Sequence, residues 1–94
     1  MSGWNETPIE DLIAEVLAAQ VRARDFDFFV IDLHKEVARR ARYETTAWYI
    51  EQAVKRVYGA RRRRWAHGRV LVYDFPHVDE NGAPVPIPAE REAA

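Results

Sequence analysis

The feature that most constrains the fold of this chain is a change in the spacing of its apolar residues after Gly59. Before Gly59, apolar side chains recur every three or four residues, which is the spacing of a helix buried on one face. From Arg61 to Phe75 the spacing shortens to two, which is typical of strands. His67-Gly68 lies between the two alternating runs, and its glycine can supply a tight turn. The sequence therefore predicts helices first and a β-hairpin afterwards.

The first helix is predicted over residues 8–22. Thr7 can cap it, Pro8 suits the first helical position, and Glu10 completes a capping box. Residues 25–31 alternate at first and then become apolar, with aromatic and β-branched side chains, which fits a short strand or an extended connector.

Two further helices are predicted before Gly59. The second is capped by Asp32 and ends at the turn formed by residues 42–44, and the third follows this turn, with Thr45 or Thr46 as its cap. Gly59 ends the third helix, as glycine commonly does. The residues expected in the core include Ile13, Leu17, Leu33, Val37, Ile50, Val54, Val57, Val70 and Val72. The aromatic residues Trp48, Trp65 and Tyr73 are also predicted to be buried rather than to stack on bases.

The C-terminal part of the chain is predicted to be an extended tail. Pro76 ends the second strand, and prolines then alternate with other residues from Pro84 to Pro88. Residues 79–82 offer one turn, so that the arm can fold back once. The domain organisation expected from the sequence is a flexible N-terminus over residues 1–6, a domain over residues 7–76 and a proline-rich arm over residues 77–94. Residues beyond about Gly82 are expected to contribute little to folding.

Charge is distributed unevenly along the chain, although the net charge is only −1. Residues 1–32 hold 2 basic and 7 acidic side chains, a balance of −5. Residues 33–72 hold 11 basic and 3 acidic side chains (+8), and residues 73–94 hold 1 basic and 5 acidic ones (−4). A basic middle segment indicates an anionic partner. The alternative is that it pairs with the acidic ends of the same chain.

Several classes of function are disfavoured by the sequence. There is no cysteine, so disulfides, thiolate metal sites and cysteine nucleophiles are excluded, and a cytoplasmic location is expected. No apolar run has the length of a membrane span, and the N-terminus lacks the pattern of a signal peptide. The three histidines do not have metal-ligand spacing, and no catalytic motif is present. We therefore expect no enzyme activity, no metal and no cofactor.

The order of the predicted elements resembles the winged helix-turn-helix superfamily. The resemblance covers residues 7–76, with 28–31 as the first strand, 32–42 as the second helix, 44–58 as the recognition helix and 61–75 as the wing. It implies an α+β fold of three helices with a C-terminal β-hairpin wing and an extended tail. In that family the third helix enters the DNA major groove and the hairpin touches the flanking backbone. The turn between the second and third helices here carries Arg42, Tyr43 and Glu44, where many members have a glycine or a small residue.

The resemblance and the basic residues together predict a DNA interface. Glutamine can read adenine, arginine can read guanine or hold phosphate, and threonine and tyrosine can reach phosphates. The four arginines at 61–64 cannot all point to one side of a strand, so some of them are expected to pair with acids such as Asp74. The residues expected to contact DNA are Arg39, Arg42, Thr45, Thr46, Tyr49, Gln52, Lys55, Arg56, Arg62, Arg64 and Arg69.

The leading expectation is a small regulatory protein of the transcriptional or phage and plasmid kind that binds double-stranded DNA, with homodimerisation possible. One alternative is a protein-interaction module of the same fold that docks an acidic protein partner. A second alternative is RNA binding through the arginine strand and exposed aromatic side chains.

Overall fold

A computed structural model describes residues 7–64 and 70–88 of the chain. Three helices are followed by two antiparallel strands: α1 (Ile9–Arg22), α2 (Val30–Arg40), α3 (Ala47–Tyr58), β1 (Arg61–Arg64) and β2 (Leu71–Asp74). The predicted α+β fold with a C-terminal hairpin is confirmed. The predicted flexible N-terminus, the burial of Trp65, the turn at His67-Gly68 and the DNA contact of Arg69 lie outside the described residues.

The core forms where the apolar faces of the three helices meet. Its most deeply buried side chains are Ile13 of α1, Val37 of α2, and Ile50 and Val54 of α3. Leu17, Leu33 and Val72 are buried as predicted, and Val57 is half-buried. Val70 is exposed, contrary to the prediction, because β2 begins one residue later and Val70 lies outside the strand ladder.

α1 begins one residue later than predicted, and its start differs from the expected capping box. Pro8 occupies the N-cap position in an extended conformation, and its own side chain makes no capping hydrogen bond. The carbonyl of Pro8 accepts hydrogen bonds from the backbone N–H groups of Asp11 and Leu12. Glu10 pairs with Arg56 of α3.

α2 begins earlier than predicted and shortens the strand expected at 28–31. Phe29 occupies the N-cap position and makes a single antiparallel bridge to Val72, while Val30 is already helical. Val30, Leu33 and Val37 have helical spacing and are buried together, so a helix buries this segment better than a strand would. Asp32 therefore lies in the first turn of α2 and is not its cap.

The capping residue and the end of α3 agree with the sequence, but the helix begins at Ala47 and not at residue 44, because Thr46 is its N-cap. Oγ1 of Thr46 accepts a hydrogen bond from the backbone N–H of Tyr49 at 3.2 Å, which caps the start of the helix. Gly59 adopts φ +66° at the other end, in the left-handed region that favours glycine.

The two strands pack against the helical core through a group of aromatic rings. Phe75 makes edge-to-face contacts with Phe28 and Tyr58, with ring centroids 5.2 and 5.6 Å apart. Tyr73 is buried on the same side of the sheet, as predicted. Its strand partner is Arg62, and Arg64 pairs with Leu71, so these two arginines share the helix-facing side of the sheet.

The arm after β2 folds back onto the helical core. A turn closes where Asp79 and Ala83 meet, with the N–H of Asp79 donating to the carbonyl of Ala83 at 2.9 Å. The N–H of Ile87 then donates to the carbonyl of Val57 at 2.8 Å, and its side chain lies against Gly59. This differs from the expectation that residues beyond Gly82 contribute little. Val85 and Ile87, which lie between the prolines, keep their N–H groups. The N–H of Val85 donates to the carbonyl of His77 within the arm, and that of Ile87 donates to Val57 of α3.

Candidate nucleic-acid interface

Strand β1 and the outer face of α3 form one surface because a single carboxylate joins them. Glu51 of α3 lies 3.0 Å from Nζ of Lys55 and 3.3 Å from Nε of Arg62 on β1. Its side chain is only 13% exposed, whereas those of Lys55 and Arg62 are 44% and 47% exposed. Two of the predicted DNA contacts are therefore brought together at Glu51.

All four arginines of β1 are exposed, but they divide between the two sides of the sheet. Arg62 and Arg64 share the helix-facing side with Tyr73 and Leu71. Arg63 lies on the opposite side, where its Nε is 2.7 Å from Oδ2 of Asp74. The prediction that an arginine of this run pairs with Asp74 is thereby confirmed.

The other predicted DNA contacts on and before α3 differ in their exposure to solvent and in their hydrogen bonds. Tyr49 is 54% exposed, Gln52 is half-buried, and Arg56 is exposed and paired with Glu10 of α1. The hydroxyl of Thr46 is engaged in the helix cap. Oγ1 of Thr45 is buried without a hydrogen-bond partner, so Thr45 does not present its hydroxyl to a ligand.

Arg39 and Arg42 belong to a different part of the surface. They line a groove between α1 and the end of α2, together with Arg40. Arg39 and Arg40 both donate to Glu36, which lowers the pKa of that carboxyl to about 2. The structure thus does not join these predicted contacts to the cluster at Glu51.

The acidic ends of the chain neutralise only part of the basic segment. Arg40 pairs with Glu15, Arg56 with Glu10, and Arg63 with Asp74. Other ion pairs lie within the basic segment itself, where Glu36 and Glu51 each hold two cations. Because exposed ion pairs contribute little free energy, these cations can exchange a carboxylate for a phosphate at small cost.

A partly buried hydrogen bond lies close to Glu51 and Arg62. Nε2 of His34 is 2.7 Å from the hydroxyl oxygen of Tyr73. Burial lowers the pKa of His34; the nearby Glu51 raises it and Arg62 lowers it further. Burial also raises the pKa of Tyr73, so both side chains are neutral at pH 7.

The lowered pKa of His34 predicts how stability depends on pH. The unfolded chain binds a proton at His34 more readily than the folded protein does, so the free energy of unfolding should fall as the pH drops below about 6.5. Denaturant unfolding at several pH values between about 7.5 and 5.5 would measure this effect. His34→Asn should flatten the dependence and His77→Asn should retain it. An unchanged slope in His34→Asn would contradict the assignment.

Trp48 was predicted to be buried, but its side chain is 68% exposed, so this prediction was wrong. The helical spacing could have predicted this exposure. Trp48 is four residues from Gln52 and seven from Lys55, so it shares their outer face, whereas Ile50 and Val54 lie on the buried face. Ile31 on α2 is likewise exposed, at 61%. Aromatic character alone is therefore a poor guide to burial in this chain.

Among the described residues, no cluster of three or more histidine, aspartate or glutamate side chains could hold a metal ion. Within that same part of the chain, no helix has the length and apolar character needed to cross a membrane. No model of a protein family matches the chain, and comparison with curated proteins and with solved structures likewise finds no match.

Proposed function

We propose that the chain is a small DNA-binding protein of the winged helix-turn-helix type, with a regulatory role. In this proposal α3 enters the major groove and the β1–β2 hairpin lies along the flanking phosphates. The observation that carries the proposal is the continuity of the exposed arginine strand with the outer face of α3 through Glu51. The order of the elements, three helices and then an antiparallel pair of strands, supports it.

The cations at this surface suit phosphate contacts. Arg62 and Arg64 share one side of the hairpin, and Lys55 lies beside Arg62 across Glu51. Arginine matches the geometry of phosphate oxygens and can donate two parallel hydrogen bonds to them. Arg56 extends the basic surface along α3.

Base contacts fall to other residues of α3. Tyr49 and Gln52 lie on the outer side of its first half, where the side chains of a recognition helix reach base edges. Gln52 can make two hydrogen bonds to adenine. Phosphate and base contacts therefore come from different residues, which makes them separable by mutation.

The test is a titration of specific and random duplex DNA at several salt concentrations. Arg62→Gln should weaken binding to all sequences alike and reduce the salt slope by about one. Gln52→Ala should weaken binding to a selected site by about 1–3 kcal/mol and random DNA much less. The selected site would come from enrichment of a random duplex library on the full chain.

Glu51 provides the matched control for charge. Glu51→Gln removes the carboxylate that holds Lys55 and Arg62 and adds one unit of positive charge, so it should strengthen binding to random DNA where Arg62→Gln weakens it. Circular dichroism would establish that each variant is folded. Absence of wild-type DNA affinity at low salt, or equal weakening by both substitutions, would refute the proposal.

A further inference from the structure

An apolar groove between α2 and α3 is not explained by contact with DNA. The groove has a volume of about 600 Å³ and is open to solvent along its length. Its apolar lining comes from both helices and includes Ile31 and Ala38 of α2 and Ala47 and Trp48 of α3. Ile31 and Trp48 are among the most exposed large hydrophobic residues of the described chain. Exposed apolar surface of this kind marks protein interaction sites more than phosphate contacts.

The charges around the groove restrict its occupant. Lys35 and Arg62 line it, and the only carboxylate among its lining residues is Glu51, which is engaged by Lys55 and Arg62. The lining therefore holds two cations and one carboxylate, which leaves it with a net positive charge. A partner with acidic residues beside an apolar stripe complements this arrangement.

A second copy of the chain fits the groove less well. A twofold contact through this groove would place Lys35 and Arg62 of one copy near the same cations of the other, because such contacts pair a surface with itself. Like charges brought together in this way disfavour the contact. DNA leaves the apolar part of the groove unused, because Ile31, Ala38 and Trp48 offer phosphates no hydrogen-bond donors in place of water.

We infer that the groove between α2 and α3 docks an acidic amphipathic helix of a partner protein. Apolar side chains at helical spacing on the partner would fill the groove, with Trp48 as the main contact. Glutamate or aspartate side chains beside that stripe would face Lys35 and Arg62. This inference does not rest on DNA binding, because its apolar contacts come from Ile31, Ala38 and Trp48, to which no DNA role is given above. Arg62 is shared between the groove and the proposed phosphate contacts, so the partner helix and DNA would compete for it.

The floor of the groove explains why the site is preformed. Val30 and Ile50 are buried beneath it, and His34 is fixed by its hydrogen bond to Tyr73. Both helices also contribute to the core, so the groove does not need to open to accept a helix. A rigid groove reduces the entropy that binding must overcome.

The experiment uses the full chain and two synthetic peptides. Both peptides carry leucines at positions i, i+3, i+4 and i+7 of a helix; one has glutamates beside the stripe and the other has lysines. Binding is followed by amide chemical shifts in NMR titrations. The acidic peptide should bind and shift resonances of α2 and α3, and the basic peptide should bind about tenfold more weakly or not at all.

Variants locate the contact and test the alternatives. Trp48→Ala should weaken the acidic peptide about tenfold, while Val78→Ala, at another exposed apolar residue, should have no effect. Trp48→Ala should leave affinity for random duplex DNA unchanged. Equal binding of both peptides, or full binding by Trp48→Ala, would overturn the inference. Loss of DNA affinity in Trp48→Ala would assign the groove to DNA, and a dimer in sedimentation that Trp48→Ala abolishes would assign it to a second copy.

Discussion

Val54→Asp should abolish the folded state at room temperature. Val54 is completely buried among the side chains of all three helices, and the substitution places an unpaired carboxylate there. We expect a loss of about 4 kcal/mol or more, which is a large part of the stability of a domain this small. Circular dichroism against temperature should show no cooperative transition for this variant.

Ala47→Asp is the matched control, because it introduces the same side chain at an exposed position in the first turn of α3. A carboxylate near a helix N-terminus is favourable, so this variant should melt at or slightly above the wild-type temperature. Retention of the wild-type melting temperature by Val54→Asp would mean that α3 does not bury the face described.

Truncation after Asn81 should lower the free energy of unfolding by about 2 kcal/mol. It removes the hydrogen bonds from Val85 to His77 and from Ile87 to Val57, together with the packing of Ile87 against Gly59. Denaturant unfolding of the truncated and full chains would measure the loss.

Within the full chain, Ile87→Ala should lose part of the same free energy, about 1 kcal/mol, while Glu80→Ala, at an exposed position of the same arm, should lose almost none. Unchanged stability of both the truncated chain and Ile87→Ala would show that the arm does not stabilise the core.

Much of the helical core could be predicted from the sequence because spacing and end signals agree there. Ile13, Val37, Ile50 and Val54 follow helical spacing, and Thr46 and Gly59 are strong end signals for α3. The start of α2 could not be predicted in the same way. Residues 28–31 have the composition of a strand. The helix begins within them because Val30 packs with Leu33 and Val37, and this packing is not visible in the composition.

The sequence shows which residues form the proposed DNA interface, but it does not show how these residues are arranged in space. The arginine run and the outer residues of α3 are visible in the sequence, but the joining role of Glu51 depends on the position of β1 beside α3. The exposure of Trp48 could have been found from its helical position. The return of the arm to Val57 and Gly59 could not, because it depends on contacts between residues 28 or more positions apart.

The exposed edge of β1 has a consequence for the behaviour of the protein at high concentration. In the described sheet, β1 pairs only with β2, and its side chains are all arginines. An open strand edge is a template for intermolecular pairing, and repulsion between like charges is one of the ways in which proteins prevent it. Such repulsion weakens as the Debye length shortens from about 10 Å at 0.1 M salt to about 3 Å at 1 M. The colloidal stability of this protein is therefore set in part by counter-ions, and concentrated salt removes the protection that the arginines give to this edge.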